Sequence, residues 1–256
     1  MIRAVGASDK GCVRQNNEDR ILLNEQLGLF LVADGMGGHS HGERAAELAI
    51  ATIEHYVVSS CDRADVTWPF GYNFQISLDS NRLATAVQLA NGQVWRCSQQ
   101  APEFAGMGTT VAAAIVSGSG MSVANVGDSR VYLVREGRVQ QLTVDDTWIN
   151  AVGVCDTMSK EQIKSHPMRN FLTQAAGSKE DLAVHTTEVQ LIDLDQVLIC
   201  SDGLHGIVDD AAIASMLQES RGNIRTACDE LIRAAKAAGG LDNISCVVLS
   251  YANEAT

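Results

Sequence analysis

The sequence predicts an α+β fold with largely antiparallel sheets. Three observations carry this: strand-like and helix-like segments come in blocks, short apolar runs between residues 109 and 143 are joined by tight connections, and amphipathic helices bracket those runs. A doubly wound parallel sheet would require strands and helices to alternate strictly.

The elements follow in chain order. Apolar runs at residues 20–23 and 27–33 read as strands, and Ser40-His41-Gly42-Glu43 is a capping box that opens a helix. Ala46, Ile50, Ile53 and Val57 give that helix one buried face, and Leu83, Val87, Ala90 and Val94 repeat the spacing in a second. Residues 61–75 between them lack a period and read as a loop. The runs at 109–116, 121–126, 130–135 and 139–142, with Glu136-Gly137 as a turn, read as an antiparallel meander. Residues 145–182 read as an irregular excursion holding one short helical piece capped by Ser159 and Gln162. A strand at 197–201 follows, then helices marked by Ile213, Met216 and Leu217 and by Ile224, Cys228, Leu231 and Ala235. Gly239-Gly240 stops the second of these before a closing strand at 244–251.

The 256 residues carry 19 Lys plus Arg against 31 Asp plus Glu, a formal charge of −12. Neutralising nucleic-acid phosphates or anionic headgroups requires a basic field, so no nucleic-acid or membrane-surface partner is expected. With 46% hydrophobic residues and three prolines the chain is expected to fold, and the lack of repeats and linkers points to one domain over residues 1–256. The seven cysteines contain no C-x-x-C pair and read as reduced, packed thiols. No apolar run approaches the roughly 18 residues of a membrane span and the first residues have no signal-like apolar stretch, so a cytoplasmic protein is the expectation, with a monomer as the default.

The chemistry is suggested by where the aspartates fall. Two apolar runs end alike, in Asp34-Gly35 and Asp202-Gly203, while Asp19 and Asp242 each stand just before a strand. A sheet brings such ends together, and carboxylates about 5 Å apart repel by roughly 3 kcal/mol per pair at an effective dielectric of 20. Divalent cations relieve that repulsion. All-oxygen donors favour Mg²⁺ or Mn²⁺ over Zn²⁺, and the x-spaced His39 and His41 read as solvated neighbours of a helix start. Gly106, Gly108 and Thr109-Thr110 lack the Lys-Ser/Thr of a P-loop and are expected to serve close strand packing.

The chain also resembles the metal-dependent Ser/Thr protein phosphatases of type 2C, the PPM family, in their compact bacterial form. Six segments carry the resemblance in order: residues 11–19 with Arg14, Glu18 and Asp19; 31–39 with Asp34-Gly35 and His39; 106–110; 124–130 with Asp128; 200–204 with Asp202; and 240–243 with Asp242. The resemblance implies a central sandwich of two antiparallel sheets flanked by helix pairs, with two Mg²⁺ or Mn²⁺ ions at one end. Asp34 would bridge the ions, the Gly35 carbonyl would bind one, and Asp202 and Asp242 would hold the other. Glu18 and Asp19 would act partly through water, and Asp128 with Asp202 would form a third, weaker site. The resemblance further implies that the ions would acidify a water for in-line attack on phosphorus, that Arg14 would grip phosphate oxygens and that His39 would protonate the leaving alkoxide. Phosphoserine and phosphothreonine proteins, including a Ser/Thr kinase or its substrates, are the implied partners. Residues 145–182 would be the family's variable flap, and they depart from it: Asp145-Asp146-Thr147 stands where Asp-His-Ser is usual, and Gln174 where arginine is usual.

Two other readings compete. A catalytically weak or dead relative serving as a partner-binding module would have lost metal carboxylates, and Asp34, Asp202 and Asp242 are all present. A divalent-metal nuclease or small-phosphoester hydrolase would need a basic groove, and the chain has only five lysines.

Overall fold

A computed structural model describes residues 1–37, 41–61, 66–153, 158–159, 162–163 and 166–253. Eleven strands among them build two antiparallel sheets. One sheet has the order β1-β11-β10-β7-β8, from β1 (Ile2–Asp9), β7 (Arg130–Arg135), β8 (Arg138–Gln141), β10 (Gln196–Cys200) and β11 (Ile244–Tyr251). The other has the order β2-β3-β5-β6-β9, from β2 (Asp19–Asn24), β3 (Leu29–Met36), β5 (Val111–Ser117), β6 (Gly120–Val126) and β9 (His185–Gln190), with the short β4 (Gly108–Thr109) paired to β3.

Phe30, Val32 and Ala112 from the second sheet meet Val131, Ile199 and Val247 from the first in a core from which water is excluded. Burial of a side chain of this size contributes roughly 1.5–3 kcal/mol, so alternation of apolar residues on the inner faces holds the layers together. Helices α1 (His41–Cys61) and α2 (Leu78–Ser98) cover the outer face of the second sheet, with Ile53, Val57, Leu83, Val87, Ala90 and Val94 against Leu29, Leu31 and Ala113. Two further helices, Asp210–Glu219 and Ile224–Ala237, cover the first sheet with Ile213, Leu217, Cys228 and Leu231. The expected helix faces are thus the buried ones, except that Ile50, beside Ala45, Ala46 and Ala49, and Met216 are only partly buried. The α-β-β-α order is the one the resemblance implies.

Two expectations change. The run at 109–143 is not one meander: β5 and β6 form a hairpin in one sheet, β7 and β8 a hairpin in the other, and residues 127–129 carry the chain across. The strands on either side of the switch are both buried almost throughout, so their apolar runs could not reveal it. Strands β1 and β9 lie in segments given no strand above. Both are outer strands of their sheets, and their half-exposed residues give them no continuous apolar run. Ser159 and Gln162 do form the reciprocal capping pair, with the Ser159 amide donating to Gln162 Oε1 (2.8 Å) and the Gln162 amide to Ser159 Oγ (3.3 Å).

Cys200, Cys228 and Cys246 are buried as expected, whereas Cys12 is exposed. Among the described residues, no helix is long and apolar enough to cross a membrane.

Candidate metal centre

Strand register assembles the site. Asp19 at the start of β2 pairs with Asp34 near the end of β3, and Gly35 pairs with Thr109 of β4. From the other sheet, Asp202 follows β10 and Asp242 precedes the antiparallel neighbour β11, with Cys200 opposite Cys246. The same end of the sandwich therefore receives carboxylates from both sheets. Two glycines permit the close approach. A Cβ on Gly35 would lie 2.1 Å from the Gly42 carbonyl oxygen in the first turn of α1 and 2.7 Å from that of Glu18. One on Gly203 would lie 1.9 Å from the carbonyl oxygen of Asn243. The two Asp-Gly sequences are thus places where backbone meets backbone.

Hydrogen bonds fix these strand ends. The Asp34 amide donates to Thr110 Oγ1 (3.0 Å), and its carbonyl accepts from the Thr110 amide (2.8 Å) and Thr109 Oγ1 (2.9 Å). Ser201 Oγ donates to Asp19 Oδ2 (2.8 Å) and accepts from the Ser245 amide (3.0 Å). Asn243 is a clasp. Its Oδ1 accepts from the Glu18 amide (2.8 Å), and its Nδ2 donates to the carbonyls of Asn16 (2.9 Å) and Lys10 (3.1 Å). The Arg14 loop is thereby tied to the strand that follows Asp242.

The cleft so formed, about 660 Å³, is lined by Arg14, Glu18, Asp34, Gly35, Asp128, Asp202 and Asp242, with Asp19 buried behind it. Loss of water, reinforced by Asp202 and Asp242, pushes Asp19 up to about 6. Loss of water with Asp202 and Asp145 nearby pushes Asp128 up to about 8. Asp34 is raised well above the ordinary carboxylate range by burial and then by Asp19 and Asp202, and Asp202 is raised by burial and then by Asp242. Asp19 Oδ1 and Asp202 Oδ1 are buried without a hydrogen-bond partner. Unpaired oxygens on mutually repelling carboxylates are what a divalent cation would satisfy, and the donor set of hard oxygens fits Mg²⁺ or Mn²⁺. Among the described residues no three His, Cys, Asp or Glu side chains close on a single point. The carboxylates ring a cleft instead of forming a cage, so bound ions would draw on main-chain oxygen and water as well.

Arg14, Glu18, Asp34, Gly35, Asp128, Asp202 and Asp242 are therefore brought together on one cleft, and Asp19 adjoins it through its register with Asp34. His39 lies outside the described residues. His41 turns elsewhere, its ring 5.3 Å from that of Phe104 and nearly perpendicular to it. The excursion at 145–182 reaches the cleft through Asn170 and Leu172. Its base is pinned by Asp146, whose Oδ2 accepts from the Gly127 amide (2.9 Å) and whose Oδ1 lies within hydrogen-bond distance of Gln174 Nε2 (3.0 Å) and His185 Nε2 (2.9 Å). Gln174, the departure from the family pattern, thus anchors the excursion. Sequence reasoning missed Thr110, Ser201 and Asn243 as supports. Ser201 and Asn243 directly flank Asp202 and Asp242, and a short polar side chain beside a strand-end aspartate is the signal that could have found them, whereas Thr110 flanks no aspartate and carries no such signal.

A two-sheet sandwich with an oxygen-rich acidic cleft at one end, rimmed by an arginine, defines a class of divalent-cation sites suited to phosphate. The particular family follows from comparison. The family model described as protein phosphatase 2C matches residues 12–240, and the chain belongs to that family. The chain is 33% identical over 249 residues to the serine/threonine protein phosphatase PstP of Mycobacterium tuberculosis, covering 97% of this chain but 45% of that protein. Similarity to the serine/threonine phosphatase stp of Listeria welshimeri is 31% over 250 residues, covering 94% and 93% of the two chains. Among solved structures, the mycobacterial phosphatase PstP/Ppp superposes with a TM-score of 0.83 at 32% identity, covering 98% of this chain and 99% of that one. The catalytic domain of PstP in complex with two manganese ions superposes with a TM-score of 0.82 at 30% identity, covering 98% and 99%.

Proposed function

We propose that this chain is a Mg²⁺/Mn²⁺-dependent protein phosphatase that hydrolyses phosphoserine and phosphothreonine on proteins. The observation that carries the reading is the cleft at the end of the sandwich: five aspartates from both sheets converge there, four of them raised by burial and one another, with two carboxylate oxygens unpartnered. Asp34, the Gly35 carbonyl, Asp202 and Asp242 would hold two ions, with Glu18 and Asp19 acting through water and Asp128 with Asp202 offering a third position. Such ions supply a nucleophilic water at neutral pH and neutralise charge on the phosphoryl oxygens.

The rest is the work of the chain. Arg14 sits at the rim with an exposed guanidinium, a planar fork that fits two phosphate oxygens. Thr109 and Thr110 hold the Asp34 peptide, Ser201 holds Asp19, and Asn243 holds the loop that presents Arg14. Asn170 and Leu172 of the excursion would meet the residues beside the phosphorylated one. We further propose that residues 1–256 form one catalytic domain, acting in the cytoplasm as a monomer to reverse the work of a Ser/Thr kinase.

The test is hydrolysis of an aryl phosphate and of a phosphothreonine peptide with Mn²⁺, with Mg²⁺ and with a chelator. Turnover that requires the ion supports the reading, and activity that survives chelation refutes it. A partner-binding module would take up Mn²⁺ without turnover, and a nuclease would prefer a phosphodiester.

A further inference from the structure

His205 ends the helical turn that Asp202 begins, and its Nε2 lies 2.9 Å from the main-chain carbonyl oxygen of Asp128. A carbonyl oxygen only accepts, so Nε2 carries the hydrogen whatever the state of Nδ1. The contact spans 77 residues of sequence and joins two short segments that the sheet itself leaves unjoined. Paired register between β7 and β10 ends with Arg130 opposite Cys200, so Asp128 and Asp202 both lie past the last rung of that ladder. Their spacing must be set by other contacts. Those around Asp128 engage each residue of the crossing: Asp146 Oδ2 accepts from the Gly127 amide (2.9 Å) and the Asp146 amide donates to the Gly127 carbonyl (2.9 Å), Thr110 Oγ1 and Ser129 Oγ share a hydrogen bond (2.7 Å), and His205 engages the Asp128 carbonyl. Of these, the contact from His205 is the one that comes from Asp202's own turn.

We propose that His205 is a positioning residue that sets the separation of the Asp128 and Asp202 carboxylates and so the affinity for a divalent cation held between them. The proposal rests on the reading of the cleft as a divalent-ion site. His205 touches no reacting group under it. It acts on the Asp128 peptide, and a carboxylate is aimed by the peptide that bears it. The side-chain chemistry makes a specific discrimination available. A glutamine places its amide nitrogen at the reach of imidazole Nε2 and can donate to the same carbonyl, whereas the asparagine amide nitrogen corresponds to Nδ1 and falls short.

The test is calorimetric titration of chelator-stripped protein with Mn²⁺ for wild type, Asp128→Ala, His205→Ala, His205→Asn and His205→Gln, with the melting temperature of each metal-free protein measured alongside. Asp128→Ala identifies the binding event that depends on Asp128. That event should weaken about 10- to 100-fold in His205→Ala and His205→Asn, as for residues that orient metal ligands, and return close to wild type in His205→Gln, with the other events unmoved. If His205→Ala does not fold, the contrast between the Asn and Gln variants decides. The proposal is overturned if the Asp128-dependent event is as tight in His205→Asn as in wild type, if His205→Gln fails to restore it, if every Mn²⁺ event weakens together, or if Asp128→Ala removes no event. A wild-type protein that takes up no Mn²⁺ would instead overturn the divalent-ion reading of the whole cleft, and this proposal with it.

Discussion

Arg14 and Asp242 are 228 residues apart in sequence, yet Arg14 Nη2 donates to Asp242 Oδ2 across 2.8 Å. Both side chains remain partly in water, 56% and 38% exposed. An ion pair so exposed contributes at most about 1 kcal/mol to folding. Its meaning is electrostatic: with acidic side chains crowding the cleft, the arginine is the counter-charge for Asp242 at the rim, and under the proposed function it would receive the phosphate. Arg14→Ala should therefore raise KM for a phosphothreonine peptide about 10- to 100-fold, the loss of a charged hydrogen bond of about 1.5–3 kcal/mol, with only a small change in melting temperature. Arg14→Lys should recover part of the loss, since charge returns without the fork. Steady-state kinetics decide, and an unchanged KM in Arg14→Ala would place the side chain outside the phosphate site.

The Asp202 carboxyl is raised by burial and then by Asp242, while a hydrogen bond with Asp34 acts the other way. Asp202→Asn removes one charge from the cluster, so two opposite effects are expected in one variant. The chelated protein should melt no lower than wild type, because repulsion is relieved, while kcat falls by orders of magnitude and the rise in melting temperature given by Mn²⁺ shrinks. Near-normal turnover, or a full Mn²⁺ increment, would remove Asp202 from the metal centre.

The raised carboxyls also fix a sign for pH dependence. Asp19 at about 6 and Asp128 at about 8 keep protons in the folded, metal-free state that the unfolded chain releases near its ordinary value of 3.8. His205 opposes this, because burial holds it down to about 3 in the folded state whereas the unfolded imidazole takes a proton below about 6.5, but Asp19, Asp34 and Asp128 outnumber it. Between those limits the folded state therefore binds more protons and stability falls as pH rises. Asp9 and Glu188 are shifted downward, by Lys236 and by Ser80 respectively, and are ionised in both states throughout that range above pH 5. Chelated protein should therefore lose melting temperature from pH 5.5 to 8.5, and the increment from saturating Mn²⁺ should grow over the same range. Calorimetric scans at fixed ionic strength test this, and a chelated melting temperature that climbs with pH would contradict it.

The sequence made the carboxylates of the site legible because a strand-end aspartate followed by glycine marks itself: Asp34-Gly35 and Asp202-Gly203 each end an apolar run. Asp19 and Asp242 were legible for the same reason in reverse, standing before their strands. The supports were not. Thr110, Ser201 and Asn243 act through contacts with residues distant in sequence, 182 positions in the case of Ser201 and Asp19, and a short polar residue has no periodicity to betray its partner. The helix pairs could be read from their apolar spacing, since Ile53, Val57, Leu83 and Val87 face one core. Assignment of strands to sheets could not, because β6 and β7 on either side of the crossing at 127–129 are both buried almost throughout, which says nothing of the sheet each joins. Gln174 was legible only as a departure from the family pattern, and its hydrogen bond to Asp146 at the base of the excursion became visible only in the structure.

Asn243 offers the sharpest separation of support from chemistry. Only 6% exposed, it satisfies the Glu18 amide and two carbonyls on either side of Arg14, at Lys10 and Asn16. Asn243→Ala would strand these groups at a cost of about 2–3 kcal/mol, lowering the melting temperature by roughly 4–12 °C for a chain of this length. Because the clasp holds the loop that presents Arg14, the variant should also raise KM for phosphopeptide. That second effect has an internal control. In an Arg14→Ala background the loop has no guanidinium left to present, so adding Asn243→Ala should lower stability as before while changing KM little further. Kinetics and melting of the two single variants and the double variant complete the cycle. If the KM effects simply multiply, Asn243 acts on the substrate by another route and the clasp does not serve Arg14.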